Sequence, residues 1–392
     1  MNTQIKRILI GSSSPTDRGS GINTYSKQLT ECLINKGFKL FYSCPEPNDD
    51  SWIINNDITP IYFNNNTNPT QYCHELLEII NSKNIDAIIN NDNIYVQSIV
   101  PAVDIPSIAI GHLEKYTIAS AACLNSNWMD YLVAISNDMQ FSYIQKHNIP
   151  VSKCPVIHNG LLDPGKSNIN NTSDKLTVIY CGGSDRRKGA DLMLKLVRDQ
   201  PDIFKKVDLH WFGDLSESYK KCLDKISYIN VHGRVDRDTY MTRISNSDIL
   251  LLPSRHEGCP MAILESLAMG IIPISSNGKG AMRWLIDSGI DGYICHLNKW
   301  PKQTSKLLSD LSNNKNLMGT LRTNARLKYE TNFKMSYTAD KIINLLNNPT
   351  VNRTNKPKII TIYKWHRPFR KTLVERAKYR LGILSKSGTI NV

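Results

Sequence analysis

The densest chemistry in the sequence lies in Pro253-Ser-Arg-His-Glu257-Gly-Cys-Pro-Met-Ala-Ile-Leu-Glu265-Ser-Leu-Ala-Met-Gly270, which places two carboxylates in one short segment. Proline is favoured at a helix start and glycine just past a helix end. The stretch therefore predicts a helix that opens near Pro260 and closes before Gly270. Glu257 then sits on the loop ahead of the helix and Glu265 inside it. A helix N-terminus carries unpaired N–H groups and a partial positive charge, so the backbone amides of Cys259, Met261 and Ala262 suit an anion. Carboxylates beside that end accept hydrogen bonds from hydroxyl groups. The ligand this describes is an anion that also carries hydroxyls.

A second constellation is Gly182-Gly-Ser-Asp-Arg186-Arg187-Lys188-Gly189, read as a loop between a strand and a helix. Gly182 and Gly183 let backbone amides approach phosphate oxygens, and Lys188 supplies the neutralising cation. Arg186 and Arg187 are further candidates, although adjacent side chains cannot all aim inward. Elsewhere, His112 follows a strand end, and Gly19-Ser-Gly21 follows the first strand. That glycine pair lacks the third glycine of a dinucleotide fingerprint, and the second strand ends in Phe41-Tyr-Ser-Cys with no acidic residue, so a nicotinamide cofactor is not expected. No Asp-x-Asp precedes a strand end where a metal would be held. Charge compensation is expected from Lys188, Arg187 and helix termini, with no metal or other cofactor. His158, His210, His232 and His296 are scattered and read as structural. Ser12-Ser-Ser lacks the context of a nucleophile elbow.

The elements that must position these residues alternate between strands and helices. Residues 6–11 read as a strand, 22–36 as a helix closed by Gly37, and 38–42 as a second strand. Strands at 85–89, 107–110 and 131–135 continue the series, between helices near 71–82 and 137–147. The Asn-, Asp- and Pro-rich stretch 45–70 reads as irregular connections. A second series begins at 176–181 and runs through strands at 207–212, 229–232, 249–253, 271–275 and 292–295. Its helices fall near 190–198, 236–246, 261–269 and 301–330. Such alternation predicts parallel sheets covered on both faces. The polar stretch 163–174 reads as a linker, which gives domains at 1–162 and 175–348 and a tail at 349–392.

Composition narrows the class. With 392 residues, 41% of them hydrophobic and 21% charged, the chain is that of a globular protein long enough for two domains. No apolar run approaches the ~20 residues that cross a bilayer, and the N-terminal apolar run is too short for a signal peptide, so a cytosolic protein is expected. Nine unpaired cysteines make a disulfide framework or zinc ribbon improbable. The net charge of +13 is concentrated at the C-terminus, where residues 351–392 hold eleven Lys/Arg against Glu375 alone. In that tail Phe369, Leu373, Ala377, Leu381 and Leu384 recur at helical spacing among Arg370, Lys371, Arg376, Lys378 and Arg380. The pattern predicts an amphipathic helix able to lie on an anionic membrane surface.

The Glu257-x7-Glu265 block, framed by Leu251-Leu-Pro-Ser and Ser266-Leu-Ala-Met-Gly, resembles the retaining glycosyltransferases of family 4, which have the GT-B fold. Val156-Ile-His-Asn159-Gly160, Lys188-Gly189, His232-Gly-Arg234-Val235, the segment 274–280 and Asp291-Gly-Tyr-Ile continue the resemblance in order, from about residue 5 to 345. It is dense over 156–295 and weak over 45–130. The resemblance implies two Rossmann-like domains facing across a cleft, with a nucleotide-sugar donor mainly on the C-terminal one. By the same resemblance Glu265 binds ribose hydroxyls, Glu257 binds the transferred sugar, and Lys188 with Arg187 binds the diphosphate. Arg234 and Val235 contact the base, Gly21 lies over the donor phosphates, and His112 touches the donor sugar. Many members carry an arginine five or six positions before the lysine. Here those positions are Gly183 and Gly182, so Arg186 or Arg187 is left to substitute.

The resemblance implies a sugar transferase acting with retention on a glycan or lipid-linked acceptor, in assembly of a cell-surface polysaccharide or glycolipid. A nucleotide-sugar epimerase shares the two-domain fold, but the Glu257-x7-Glu265 block with its flanks favours transfer. A non-catalytic sugar-nucleotide binding module is disfavoured by the intact Glu257, Glu265 and Lys188. A nucleic-acid partner is not expected, because the tail lacks an aromatic–basic repeat or a recognised module.

Overall fold

The structure is a computed structural model that describes residues 5–17, 20–64, 66–112, 119, 121–166, 175–353, 357–365 and 384–391. The chain divides into two units, one of Met1–Asn159 with Met335–Val392 and one of Gly160–Lys334. The first opens with β1 (Arg7–Ser12), α1 (Gly21–Asn35), β2 (Lys39–Pro45), α2 (Ser51–Asn55), β3 (Thr59–Phe63) and α3 (Pro69–Ser82). It continues through β4 (Ala87–Asn91), α4 (Ile94–Ile99), β5 (Ser107–Gly111), β6 (Tyr131–Ala134) and α5 (Asn137–His147). The second unit runs β7 (Leu176–Tyr180), α6 (Ala190–Asp199), β8 (Val207–Phe212), α7 (Glu217–Leu223), β9 (Ile229–Gly233), α8 (Arg237–Ser245) and β10 (Ile249–Leu252). It is completed by β11 (His256–Glu257), α9 (Met261–Met269), β12 (Ile272–Ser276), β13 (Lys279–Gly280), α10 (Met282–Leu285), β14 (Tyr293–Cys295), α11 (Trp300–Ser312) and α12 (Lys315–Asn332). The chain then returns to the first unit as α13 (Met335–Asn347), β15 (Ile359–Trp365) and β16 (Leu384–Asn391).

Each unit is built on a six-stranded parallel sheet, ordered β3-β2-β1-β4-β5-β6 in the first and β14-β12-β10-β7-β8-β9 in the second. Ile8, Leu9 and Ile10 of β1 and all four residues of β10 are buried, as expected for strands covered on both faces. In both sheets the order runs outward on one side and then restarts on the other. The reversal lies between β1 and β4 in the first unit and between β7 and β10 in the second. Connections leave in opposite directions at such a point, which opens a crevice at the carboxyl ends of the two strands. The architecture is the GT-B α/β fold.

Several expectations need correction. The stretch 45–70 holds β3, and Pro60 is tolerated there because β3 is an edge strand. The helix expected over 301–330 is two helices. Asn313 ends the first, and the Asn314 side chain caps the second by accepting from Leu317 N at 3.0 Å. The second unit closes at Lys334 and not near 348. The buried face of α13 (Met335, Thr338, Ala339, Ile342, Leu346) packs in the first unit on α1, with Lys36 Nζ 2.7 Å from Asp340. The expected linker start at 163 belongs to the second unit, where Arg326 grips both Asp163 oxygens at 2.8 and 2.6 Å.

The tail is not a separate appendage. β15 and β16 form an antiparallel pair against α3 and α4, and Ile360, Ile362 and Ile390 are buried with Tyr72, Leu76 and Tyr95. Its approach is fastened to the fully buried Asp130, whose carboxylate accepts from the backbone N–H of Ser107, Thr350 and Val351 and pairs with Arg353. The apolar stripe predicted from Phe369 to Leu384 falls, apart from its last residue, outside the described residues, and Leu384 opens β16. Among the described residues no helix is long and apolar enough to cross a membrane.

Candidate functional site

The crevice of the second unit collects the residues singled out in the sequence. Residues 181–189 follow β7, and residues 253–260 follow β10, so the two chemical segments meet at the sheet's reversal. Glycine geometry permits this. Gly189 caps α6 with φ +79°, and a Cβ there would lie 2.1 Å from Pro253 O. Arg255 fastens the two segments: its N–H donates to Arg187 O at 2.8 Å, and its guanidinium makes two 2.7 Å bonds to Asp191.

Glu257 is 5% exposed. Contrary to the loop assignment, it lies on the short strand β11, which pairs with β13 because Gly280 (φ +101°) brings its backbone against Glu257. Burying a carboxylate is costly unless it is paired and hydrogen-bonded. Lys188 Nζ lies 2.7 Å from Oε1, Ser254 Oγ donates to the same oxygen at 2.8 Å, and Arg187 Nη1 is 3.4 Å from Oε2. Arg187 is shared with His256 O at 3.1 Å and Asp185 at 3.4 Å. Arg186 is exposed, and its described role is a backbone one, accepting from Arg255. The arrangement is a buried carboxylate with two cations at the mouth of a helix.

That helix, α9, runs Met261–Met269 with Pro260 ahead of it and Gly270 in the left-handed region after it, as the sequence predicts. Met261 and Ala262 form its first turn, and Cys259 is buried just before it. Glu265 is 2% exposed, and its two oxygens are held by Arg237 Nη2 at 2.6 Å and the Tyr240 hydroxyl at 2.9 Å. Sequence reading missed Arg237 and Tyr240. They stand three apart in the first turn of α8, right after the cap Asp236, and that spacing was the available signal. Burial pushes the Tyr240 hydroxyl well above its ordinary range and Cys181 up to about 12, so neither ionises near neutrality.

Gly182 and Gly183 behave as expected for a tight loop. Gly183 has φ +52°, and a Cβ on it would meet Asp214 O at 2.3 Å. Arg234 and Val235 occupy the turn between β9 and α8, where Arg234 pairs with Asp214 at 3.2 Å. His232 stacks on Phe212 at 4.4 Å and bonds His210 at 2.8 Å, which makes a flat aromatic ladder on that side of the sheet.

His112 and Gly21 belong to the first unit. Gly21 begins α1, whose cap is Ser20 accepting from Asn23 N at 3.1 Å; Gly19 lies outside the described residues. His112 is 3% exposed, with Nε2 3.0 Å from Asn91 Oδ1 and its ring edge-on to Tyr25. Burial pulls its pKa down to about 3, so the imidazole is neutral.

Residues 165–328 match the family model described as "Glycosyl transferases group 1". An uncharacterised glycosyltransferase of Methanocaldococcus jannaschii is 26% identical over 176 residues, 44% of this chain and 47% of that protein. An uncharacterised 41.2 kDa protein in the cps region of Klebsiella pneumoniae is 25% identical over 195 residues, 47% of this chain and 50% of that protein. The chain thus spans about half the length of the curated relatives it matches. Among solved structures, Anabaena HepE in complex with UDP superposes with TM-score 0.72 at 14% identity, covering 88% of this chain and all of HepE.

Proposed function

We propose that this chain, whose residues 165–328 belong to the group 1 glycosyl transferases, moves a sugar from a nucleotide-sugar donor to an acceptor hydroxyl with retention of configuration. The observation that carries the reading is the buried Glu257 carboxylate bonded to Lys188 beside the α9 N-terminus. Lys188 and Arg187 neutralise the diphosphate as negative charge grows on the leaving group, and the first-turn amides of α9 add to them. Glu257 accepts from hydroxyls of the transferred sugar. Glu265 accepts from the ribose, with Arg237 and Tyr240 holding its carboxylate in place. UDP in the Anabaena structure supports a uridine nucleotide as the first to test.

The acceptor is assigned to the first unit, and the cps region of the Klebsiella relative supports a cell-surface polysaccharide as the product. The basic tail is assigned to an anionic membrane surface on its charge, which places the enzyme peripherally on the cytosolic face. Thermal stabilisation against UDP-, GDP- and ADP-sugars tests the donor site. A ligand at a hundred times its dissociation constant stabilises by about 2.7 kcal/mol. Stabilisation by one nucleotide class is expected, and no response to any member would sink the reading.

A further inference from the structure

Lys188 and Arg187 are already engaged before any anion arrives in the crevice of the second unit. Lys188 Nζ is 2.7 Å from Glu257, and Arg187 is divided among Glu257, Asp185 and His256 O. The glycine loop has no room for another side chain. A Cβ on Gly182 would lie 2.0 Å from the Tyr180 hydroxyl, and one on Gly183 would lie 2.3 Å from Asp214 O. Arg186 is exposed, so the cation not yet accounted for comes from α8. Arg237, in the first turn of that helix, lies over the Tyr240 ring with Cζ 5.4 Å from its centre and sets Nη2 2.6 Å from Glu265 Oε1. Glu265 is buried but the Arg237 side chain is 41% exposed, so the guanidinium has one end on the carboxylate and the other open. A guanidinium carries five N–H donors, and among the described residues Glu265 is the one acceptor it meets. The charges of Lys188 and Arg237 both act on the Cys181 thiol, the residue ahead of Gly182, so Arg237 stands close to the head of the glycine loop.

We propose that Arg237 binds the donor phosphate that is joined to the ribose, while its Nη2 stays on Glu265, and that Lys188 and Arg187 are left to the second phosphate. The assignment rests on the transferase reading, in which Glu265 accepts from the ribose. The phosphate carried on that ribose is then the anionic group nearest to the guanidinium. A planar fork donates to a carboxylate through one edge and to phosphate oxygens through another, which a single ammonium does not do with the same geometry. The sign of the charge requires such a group. Glu265 by itself repels a phosphate held next to the ribose, and Arg237 cancels that charge where the two parts of the ligand meet. Tyr240 serves both partners: its hydroxyl donates to Glu265 and its ring face supports the guanidinium plane.

The test measures what each phosphate adds to affinity. The full chain, as wild type, Arg237→Gln and Arg237→Lys, is titrated with uridine, UMP and UDP and with the matching guanosine and adenosine series, the nucleosides by competition against the diphosphate. For the base that binds, the ratio of nucleoside to monophosphate dissociation constants is the gain from the first phosphate. A residue that only holds Glu265, or that touches the base, weakens both ligands alike and leaves this ratio unchanged. In Arg237→Gln the gain is expected to fall about tenfold, and in Arg237→Lys, which keeps the charge without the fork, about threefold. The further gain from monophosphate to diphosphate is expected to stay within about twofold of wild type, because other side chains supply it. The assignment is overturned if the wild type gains nothing from the first phosphate, or if the variants that fold keep the wild-type gain. Failure of every diphosphate to bind the wild type sinks the donor reading and this assignment with it. Diphosphate binding with an unchanged ratio sinks the assignment alone.

Discussion

Glu257 and Lys188 are each other's nearest charge, at 2.7 Å, and the carboxylate is the more buried of the two. Removing one member takes from the other its nearest compensating charge. Lys188→Ala therefore strands a buried carboxylate that Arg187 and Ser254 still hold, while Glu257→Gln keeps the shape and removes the charge. Both variants are expected to fold and to lose ten- to a thousand-fold in transfer, about 1.4 to 4 kcal/mol of transition-state stabilisation. Steady-state rates at saturating donor and acceptor check this, and near-wild-type turnover in either would remove the roles assigned. Asp92 makes an opposite kind of prediction. Its pKa rises on folding from the ordinary 3.8 to about 7 because burial disfavours the charged form. The folded state then holds a proton that the unfolded state has released, so the stability this group contributes is full below about pH 4 and is lost as pH climbs to 7. Asp92→Asn removes that loss, and its stability advantage over wild type should grow from pH 4 to 7 by a few kcal/mol at most. Urea unfolding at both pH values measures it; a constant difference would mean that Asp92 is ionised at little cost.

At the scale of elements, Glu257 depends on the β11–β13 pairing, and that pairing depends on Gly280. A Cβ there would fall 1.6 Å from Glu257 O at a φ that side chains rarely adopt. Gly280→Ala should cost at least about 2 kcal/mol and displace Glu257, so that donor binding falls together with stability. Wild-type donor affinity at a lowered melting temperature would show that the pairing is structural only. The elements themselves were largely legible in the sequence. Helix α9 begins and ends where Pro260 and Gly270 predict, and the parallel strands announced themselves as continuous apolar runs such as Ile249 to Leu252. What escaped was set by tertiary contact. The edge strand β3 is masked by Pro60, the break at Asn313–Asn314 sits inside a helical pattern, and no local signal says that α13 packs on α1 and not on the neighbouring α12. In the site, the glutamates and Lys188 were readable from spacing. Arg255 was not, because its partner Asp191 is remote in sequence, and the spacing of Arg237 and Tyr240 did not name Glu265 as their partner.

For the whole molecule the decisive region is the tail, whose two strands complete the core of the first unit while six of its eleven basic residues lie between them in sequence. Truncation after Asn347 would remove Ile360, Ile362 and Ile390 from that core. Each buried isoleucine is worth about 2 kcal/mol, and the clasp of Thr350, Val351 and Arg353 on Asp130 would go with them. The truncated protein is expected to melt well below the full chain, a result that would say nothing about membranes. Charge can be removed without touching the strands. Replacing Arg370, Lys371, Arg376, Lys378 and Arg380 with Gln takes away five of the tail's eleven cations. Anionic lipid attracts juxtamembrane basic residues by about 1 kcal/mol each at low salt. The variant should therefore co-sediment with phosphatidylserine vesicles at least tenfold more weakly than the wild type, and the difference should shrink as salt screens the charges. Donor binding, measured in the same samples, should be unchanged. If the variant sediments as well as the full chain, the tail's charge does not hold the enzyme to a membrane, and the acceptor need not be sought among lipid-linked molecules on that ground.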